Sequence, residues 1–372
     1  MTHSEIREKF LKFFEDRGHK VVPSSSLLPT DPSVLFTTAG MQQFKPYYTG
    51  QADATKDFGS LNTASIQKCM RTSSIDEVGD DTHGTFFEML GNFSFGGYFK
   101  EEAIKYAYEF VTKELGLTID YVAVFGGEND IPVDKESEKI WKSLDPNIDI
   151  REMGRSDNFW GPTGDEGPCG PTTEIYVNGV EIWNIVFNQY FQHKDKTLEP
   201  LKTPGIDTGM GLERLSMVIQ NKSNIFEIDL FEPLIQLLPG EMEPRIQRII
   251  VDHSRAAAFL ISDGVVPSNK EQGYVLRRLI RRIIVHSHNF GLELETIREI
   301  FETVAGNYAK NYPELNKEKI ISEFDKENEK FQKTLTSGLK ELEKLSAVDS
   351  VSAFKLYESF GLPYEVIKEV GG

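Results

Sequence analysis

The chain has 372 residues, 39% of them hydrophobic, and a formal net charge of −17. That suits two or three globular domains and argues against a surface that coats nucleic acid throughout. No apolar run approaches the roughly 18 residues of a spanning helix, and the opening MTHSEIREKF is charged rather than leader-like, so a cytoplasmic protein without membrane contact is expected. Two cysteines, Cys69 and Cys169, form no C-x-x-C pair, and the seven histidines include no H-x-x-x-H. This usage excludes a disulfide framework and gives no reason to expect structural zinc.

Along the chain, Thr2 and Glu5 form a capping-box pattern ahead of Ile6, Phe10, Phe13 and Phe14, which predicts a first helix ended by Gly18. Residues 21–60 mix short apolar runs with Pro23, Pro29 and Pro32 and read as strands and loops. The stretch TFFEMLGNFSFGGYF (85–99) reads as a buried strand running into a tight turn, with a helix over about 100–115. Strands are predicted near 121–126, 173–178 and 181–191. Beyond Pro239-Gly240 the pattern turns helical: a helix through Ile246–Ile261, a loop at 263–273, a basic helix from Tyr274, and a long amphipathic helix over about 314–346. The expectation is an α+β domain over 1–238 followed by an all-helical domain over 239–372.

Residues 245–285 hold eight Arg or Lys against three Asp or Glu, the reverse of the remaining chain. Such a stripe can meet phosphates locally, or serve as an ordinary solvated helix face. The stretch IDTGMGLERL (206–215) looks at first like a phosphate loop, yet it lacks both the third glycine of G-x-G-x-x-G and a G-K-[ST] ending. Arg71 precedes His83, Phe87 and Glu88 with a spacing that a hairpin could bring onto neighbouring strands, the shared face depending on register. An arginine fork suits a phosphate, and an aromatic ring suits a purine.

Those features together resemble motif 2 of the class II aminoacyl-tRNA synthetases (arginine, variable loop, His-x-x-x-Phe), and Gly209-x-Gly211-x-x-Arg214 resembles their motif 3. More closely, LFTTAGMQQF (35–44), THGTFFEMLGNFSFG (82–96), DNFWGPTGDEGPCGP (157–171), EIWNIVFNQY (181–190), DHSRAAAFLISDGVVPSN (252–269) and GYVLRRLIRR (273–282) are similar, in order, to the alanyl-tRNA synthetase family. The resemblance covers nearly the whole chain. It implies an antiparallel class II sheet flanked by helices, then an all-helical tRNA-recognition domain.

The same resemblance implies an activity: alanine and ATP give alanyl-adenylate, and the alanyl group passes to tRNA(Ala). Arg71 and Arg214 would be catalytic. Arg71, His83, Phe87, Gly209, Gly211 and Arg214 would hold ATP. Arg71, Trp160, Asn184, Val186, Asp207 and Gly209 would hold alanine, with Asp207 on its ammonium. Magnesium would arrive on the ATP phosphates, with Glu88 and Glu174 as possible helpers and no ligand assigned. Asn269 and Glu358 would read a G·U pair in the acceptor stem, and Arg277, Arg278, Arg281 and Arg282 would neutralise its phosphates. Two departures stand out. The loop Arg71–Gly79 lacks the lysine that members often carry there, and Glu358 replaces the usual aspartate. Full-length members continue into editing and C-terminal oligomerisation domains that find no counterpart in these residues, so a monomer without its own editing is expected. A non-catalytic, synthetase-derived tRNA-binding paralogue is the rival class of function; it predicts loss of Arg71, Asp207 or Arg214, and all three are present.

Overall fold

A computed structural model describes all residues except 129–130, 346, 365–366 and 369–372, together with the side chains of 74 and 76. The chain divides into two compact units. One comprises Met1–Cys69 with Phe87–Ile228; the other comprises Met70–Phe86 with Asp229–Gly372.

In the first unit, α1 (His3–Glu15) starts at the expected capping box, and Gly18 takes a left-handed backbone after it. A short strand β1 (Lys20–Val21) follows. The region 21–60 then departs from expectation: in place of further strands it forms a 3₁₀ turn at Gly40–Phe44, α2 (Lys45–Tyr48) and α3 (Ala54–Phe58). The chain continues through β2 (Asn62–Met70), β3 (Phe86–Ser94), α4 (Lys100–Glu109) with a π-turn to Glu114, β4 (Tyr121–Phe125), α5 (Lys135–Leu144), β5 (Ile150–Met153), α6 (Arg155–Asn158) and β6 (Phe159–Trp160). The long strands β7 (Gly167–Val177), β8 (Val180–Gln192) and β9 (Leu198–Gly211) precede α7 (Leu212–Ile219).

These strands form one mixed nine-stranded sheet in the order β1-β2-β3-β9-β8-β7-β4-β5, with β6 on the side of β7. The centre is antiparallel as expected, from β3 through β9, β8 and β7 to β4. The edges differ: β1 pairs with β2, and β4 with β5, in parallel. Alternation decides what each face does. Leu90, Val122, Val124, Ile175, Trp183, Ile185, Phe187, Ile206 and Met210 point to one side, where they bury against Phe10, Phe13 and Phe14 of α1, Ala103 and Ile104 of α4, Trp141 of α5 and Leu215 of α7. The other side is free of those helices.

The second unit contains α8 (Glu232–Ile235), α9 (Pro244–Ser262), α10 (Glu271–Asn289), α11 (Leu294–Tyr308), α12 (Lys317–Glu343) and α13 (Ser350–Phe360). Its core is α9, buried almost continuously from Ile249 to Ile261. The segment Met70–Phe86, with a 3₁₀ turn at Thr72–Asp76, belongs to this unit. Among the described residues no helix is long and apolar enough to cross a membrane.

Candidate active site

The register of the central strands brings many of the singled-out residues onto one face. Met89 lies opposite Gly211, Asn184 opposite Gly209, Val186 opposite Asp207, and Glu174 opposite Asn184. Residues directly opposite across antiparallel strands share a side, as do residues two apart on one strand. Phe87, Met89, Gly211, Gly209, Asp207, Asn184, Val186 and Glu174 therefore all belong to the side away from the helical core. Motif 3 is thus strand, not loop. Gly209 and Gly211 end β9, and Arg214 sits in the first turn of α7. A Cβ at Gly209 would stand 2.9 Å from the Met89 sulfur, so glycine keeps the floor of this face low.

One end of the face is covered by the 3₁₀ turn, α2 and α3, whose Met41, Phe44 and Tyr48 pack with Phe93 and Phe95. Trp160 and Met89 lie against that cluster, and the Trp160 indole N–H is buried without a hydrogen-bond partner. Thr163 donates to the Met41 sulfur at 3.4 Å, fixing the loop after Trp160.

The polar groups have a definite order. The Asn184 amide donates to Glu174 at 2.9 Å, and the Tyr176 hydroxyl donates to the other Glu174 oxygen at 2.9 Å. The oxygen of the Asn184 amide is buried without a partner among the described residues. Burial first, then the neighbouring Glu181 carboxylate, pushes the Glu174 carboxyl up to about 7. Glu181 reaches this position through a register shift in β8 opposite Ile175/Tyr176, and there it meets Arg214 at 3.4 Å. Asp207 is only 6% exposed. Burial alone raises its carboxyl to about 7, since no positive group offsets it. Tyr176 and Glu181 are members of this array that sequence reasoning missed. A spacing of two from Glu174 hints at Tyr176, but nothing in the residues announces the bulge that turns Glu181 inward.

Glu88 is not part of the face. It points to the helical side, is fully buried, pairs with both terminal nitrogens of Arg7 on α1, and its N–H donates to Glu213. It acts as structure, as its odd spacing from Phe87 and Met89 requires. Cys69 and Cys169 are buried and form no disulfide among the described residues, and burial pushes the Cys169 thiol up to about 12.

Arg71 and His83 belong to the second unit, and neither lies on a strand, contrary to the hairpin expectation. β2 ends at Met70 and β3 begins at Phe86. The Arg71 N–H donates to the Thr85 carbonyl at 2.9 Å, which extends the ladder by one bond. His83 sits in the intervening loop, its Nδ1 2.5 Å from Asp80 and its Nε2 3.6 Å from Glu77.

The basic stripe of α10 divides. Arg277 bonds to the exposed Asn269 side chain. Arg281 is committed to Glu327 at 2.7 Å and the Gly361 carbonyl at 2.8 Å. Arg282 is fully buried and donates to the Ile75 carbonyl at 2.8 Å. The expectation that Arg282 neutralises nucleic-acid phosphate is therefore corrected: a helix buries one face, and Arg282 falls on it with Leu279 and Ile283. Glu358 is exposed on α13.

Comparison with known proteins places this architecture. The family model described as tRNA synthetases class II (A) matches residues 5–371. An alanine–tRNA ligase of Rubrobacter xylanophilus is 41% identical over 418 residues, covering 100% of this chain and 47% of its own length. One from Thermotoga petrophila is 43% identical over 409 residues, covering 100% of this chain and 46% of its own length. A third, from Borrelia hermsii, is 40% identical and is covered over 69% of its length. The chain thus spans about half the length of most curated relatives it matches. Among solved structures, a pyrrolysyl-tRNA synthetase from Desulfitobacterium hafniense covers 61% of this chain and 72% of its own at 14% identity, with a TM-score of 0.36, a likeness too slight to bear on function. On the match that runs from residue 5 to residue 371, the chain belongs to the class II (A) tRNA synthetases, the family of these alanine–tRNA ligases.

Proposed function

We propose that this chain activates alanine with ATP to alanyl-adenylate and passes the alanyl group to the terminal ribose of tRNA(Ala). One observation carries the reading: a buried carboxylate, Asp207, without a counter-ion among the described residues, beside a glycine, an asparagine and a valine on the open face of the sheet. A small amine fits that space and supplies the missing positive charge. Asp207 grips the ammonium, Asn184 and Gly209 take polar ends, and Trp160 and Val186 close on the methyl. Phe87 stacks on adenine.

No general base is needed, because the alanine carboxylate is already a nucleophile at neutral pH. Its oxygen attacks the α-phosphorus, a P–O bond to the β-phosphate breaks, and pyrophosphate leaves with its electron pair. The protein aligns the two reactants and provides positive charge where negative charge grows. Arg71 serves the α-phosphate and the alanine carboxylate, Arg214 the γ-phosphate with Gly211 beneath, and His83 stands at the β,γ end. Among the described residues no three His, Cys, Asp or Glu side chains gather into a metal cage. Magnesium would be carried by the phosphate oxygens and would shield the phosphate charge when bound.

Asn269 and Glu358 read the acceptor stem, and Arg277 and Arg278 provide the salt-sensitive phosphate contacts. Residues 1–238 then constitute the aminoacylation part and residues 239–372 the tRNA-recognition part, with the loop after Met70 clustering with the latter. The test is amino-acid-dependent ATP–pyrophosphate exchange with each of the twenty amino acids in turn. Alanine is expected to give the highest kcat/KM, and preference for another amino acid ends the assignment.

A further inference from the structure

The segment Met70–Phe86 carries Arg71 and His83 and has little regular structure of its own, so its main-chain groups need partners from elsewhere. Charged side chains of α9 and α10 provide them. Arg282, fully buried, donates to the Ile75 carbonyl at 2.8 Å. Arg248 donates to the Gly79 carbonyl at 3.0 Å and the Asp80 carbonyl at 3.2 Å, and pairs with Asp81 at 3.0 Å. Arg255, fully buried, donates to the Phe86 carbonyl with one nitrogen and to the Tyr308 hydroxyl with another at 3.0 Å. Asp252, also fully buried, accepts the Thr85 N–H at 2.9 Å, while the Thr85 carbonyl accepts the Arg71 N–H at 2.9 Å. One residue, Thr85, therefore links a helix carboxylate to the backbone of Arg71. The Phe86 ring is fixed as well, stacked on Phe259 at 4.0 Å and 11°.

Buried charges contribute little net stability for their desolvation, so three of them, with the half-buried Arg248, converging on one irregular segment call for a reason beyond holding helices together. We propose that Arg248, Asp252, Arg255 and Arg282 are positioning residues for nucleotide binding. They fix the path of the Arg71–His83 loop and thereby the direction from which Arg71 meets phosphate. The loop lacks a lysine of its own, and its order depends on helix side chains. The inference rests on the proposed role of Arg71 as a phosphate ligand.

Arg248→Ala is the primary test, because that side chain is 19% exposed and its loss leaves the helix core intact. Two measurements are made on the full chain: amide hydrogen exchange over residues 72–85, and the separate KM values for ATP and alanine in pyrophosphate exchange. Faster amide exchange and an ATP KM raised on the order of tenfold, with an unchanged Tm, are expected, and the alanine KM rises with it because Arg71 also serves the alanine carboxylate. Asp252→Ala should act in the same direction, and Asp252→Asn, which keeps an acceptor for Thr85, should restore most of the ATP KM. An unchanged ATP KM despite a loosened loop overturns the proposal. So does a raised ATP KM that comes with a lowered Tm and wild-type amide exchange over residues 72–85, which marks a merely structural role. Wild-type protein that shows no alanine-dependent exchange refutes the alanine reading instead, and the amide measurement still decides whether the helices hold the loop.

Discussion

Asp207 and Glu174 both titrate near 7 and both face the open side of the sheet, but for different reasons: Asp207 through burial alone, Glu174 through burial and a like charge at Glu181. For Asp207 the sign of the stability effect follows directly. Its carboxyl ionises at about 3.8 when unfolded and about 7 when folded, so between those values the folded state holds the extra proton. Stability therefore falls as pH rises through that window, by at most a few kcal/mol, and is level above it. Asp207→Asn removes the dependence. The variant's Tm should exceed that of wild type by a margin that grows from pH 4 to pH 7 and is constant beyond, as thermal melts across that range would register. The same substitution should raise the alanine KM at pH 8 by about a hundredfold or more, since a charge-assisted contact is lost. In wild type an ammonium ligand stabilises the ionised form, so the alanine KM should climb as pH drops below 7. A flat profile would remove Asp207 from the amine pocket.

At the scale of elements, β9 and β3 show how glycine serves two purposes on adjacent strands. At Gly209 an added Cβ meets only the flexible end of Met89, at 2.9 Å, on the open face. At Gly91 it would meet the Phe93 ring at 2.5 Å and the Thr208 carbonyl at 2.6 Å, neither of which can yield. Gly91→Ala should therefore cost about 1–3 kcal/mol in urea unfolding, whereas Gly209→Ala should stay within about 1 kcal/mol of wild type while raising the KM for alanine or ATP. Equal stability losses would mean that the Met89 side chain yields no more readily than the Phe93 ring and the Thr208 carbonyl. This contrast also explains what the sequence disclosed. The long strands and helices were legible because two periodicities dominate them, and from EIWNIVFNQYF alone the split into a core side and an open side can be drawn. Short elements are not: the apolar runs and prolines of 21–60 suggest strands and loops, yet the region forms short helices, with Pro46 inside the first turn of α2, where its fixed φ is favourable. The parallel edge pairs and the bulge that turns Glu181 inward depend on pairing partners, which no local pattern encodes. Arg282 was misread for a related reason, since positive charge on a helix does not reveal which side is buried until the neighbours are known.

At the scale of the whole molecule, Arg71 and Arg214 are proposed to act on one triphosphate. The sequence motifs lie 143 positions apart, and the resemblance alone supplied the expectation that both serve a single triphosphate. A double-mutant cycle measures that joint action without reference to either unit's internal structure. Lysine is the useful replacement, because it keeps the charge and loses only the planar fork, leaving rates high enough to measure. Arg71→Lys and Arg214→Lys should each lower kcat/KM for ATP in alanine-dependent pyrophosphate exchange. If the two guanidinium groups bind one ATP molecule, a nucleotide already misaligned by the first change has less to lose from the second, and the double variant should be better than the product of the singles predicts. A coupling of roughly 0.5–3 kcal/mol is expected. Effects that add within about 0.5 kcal/mol would mean that Arg71 and Arg214 act on separate events, and the single-site mechanism proposed for this chain would have to be abandoned.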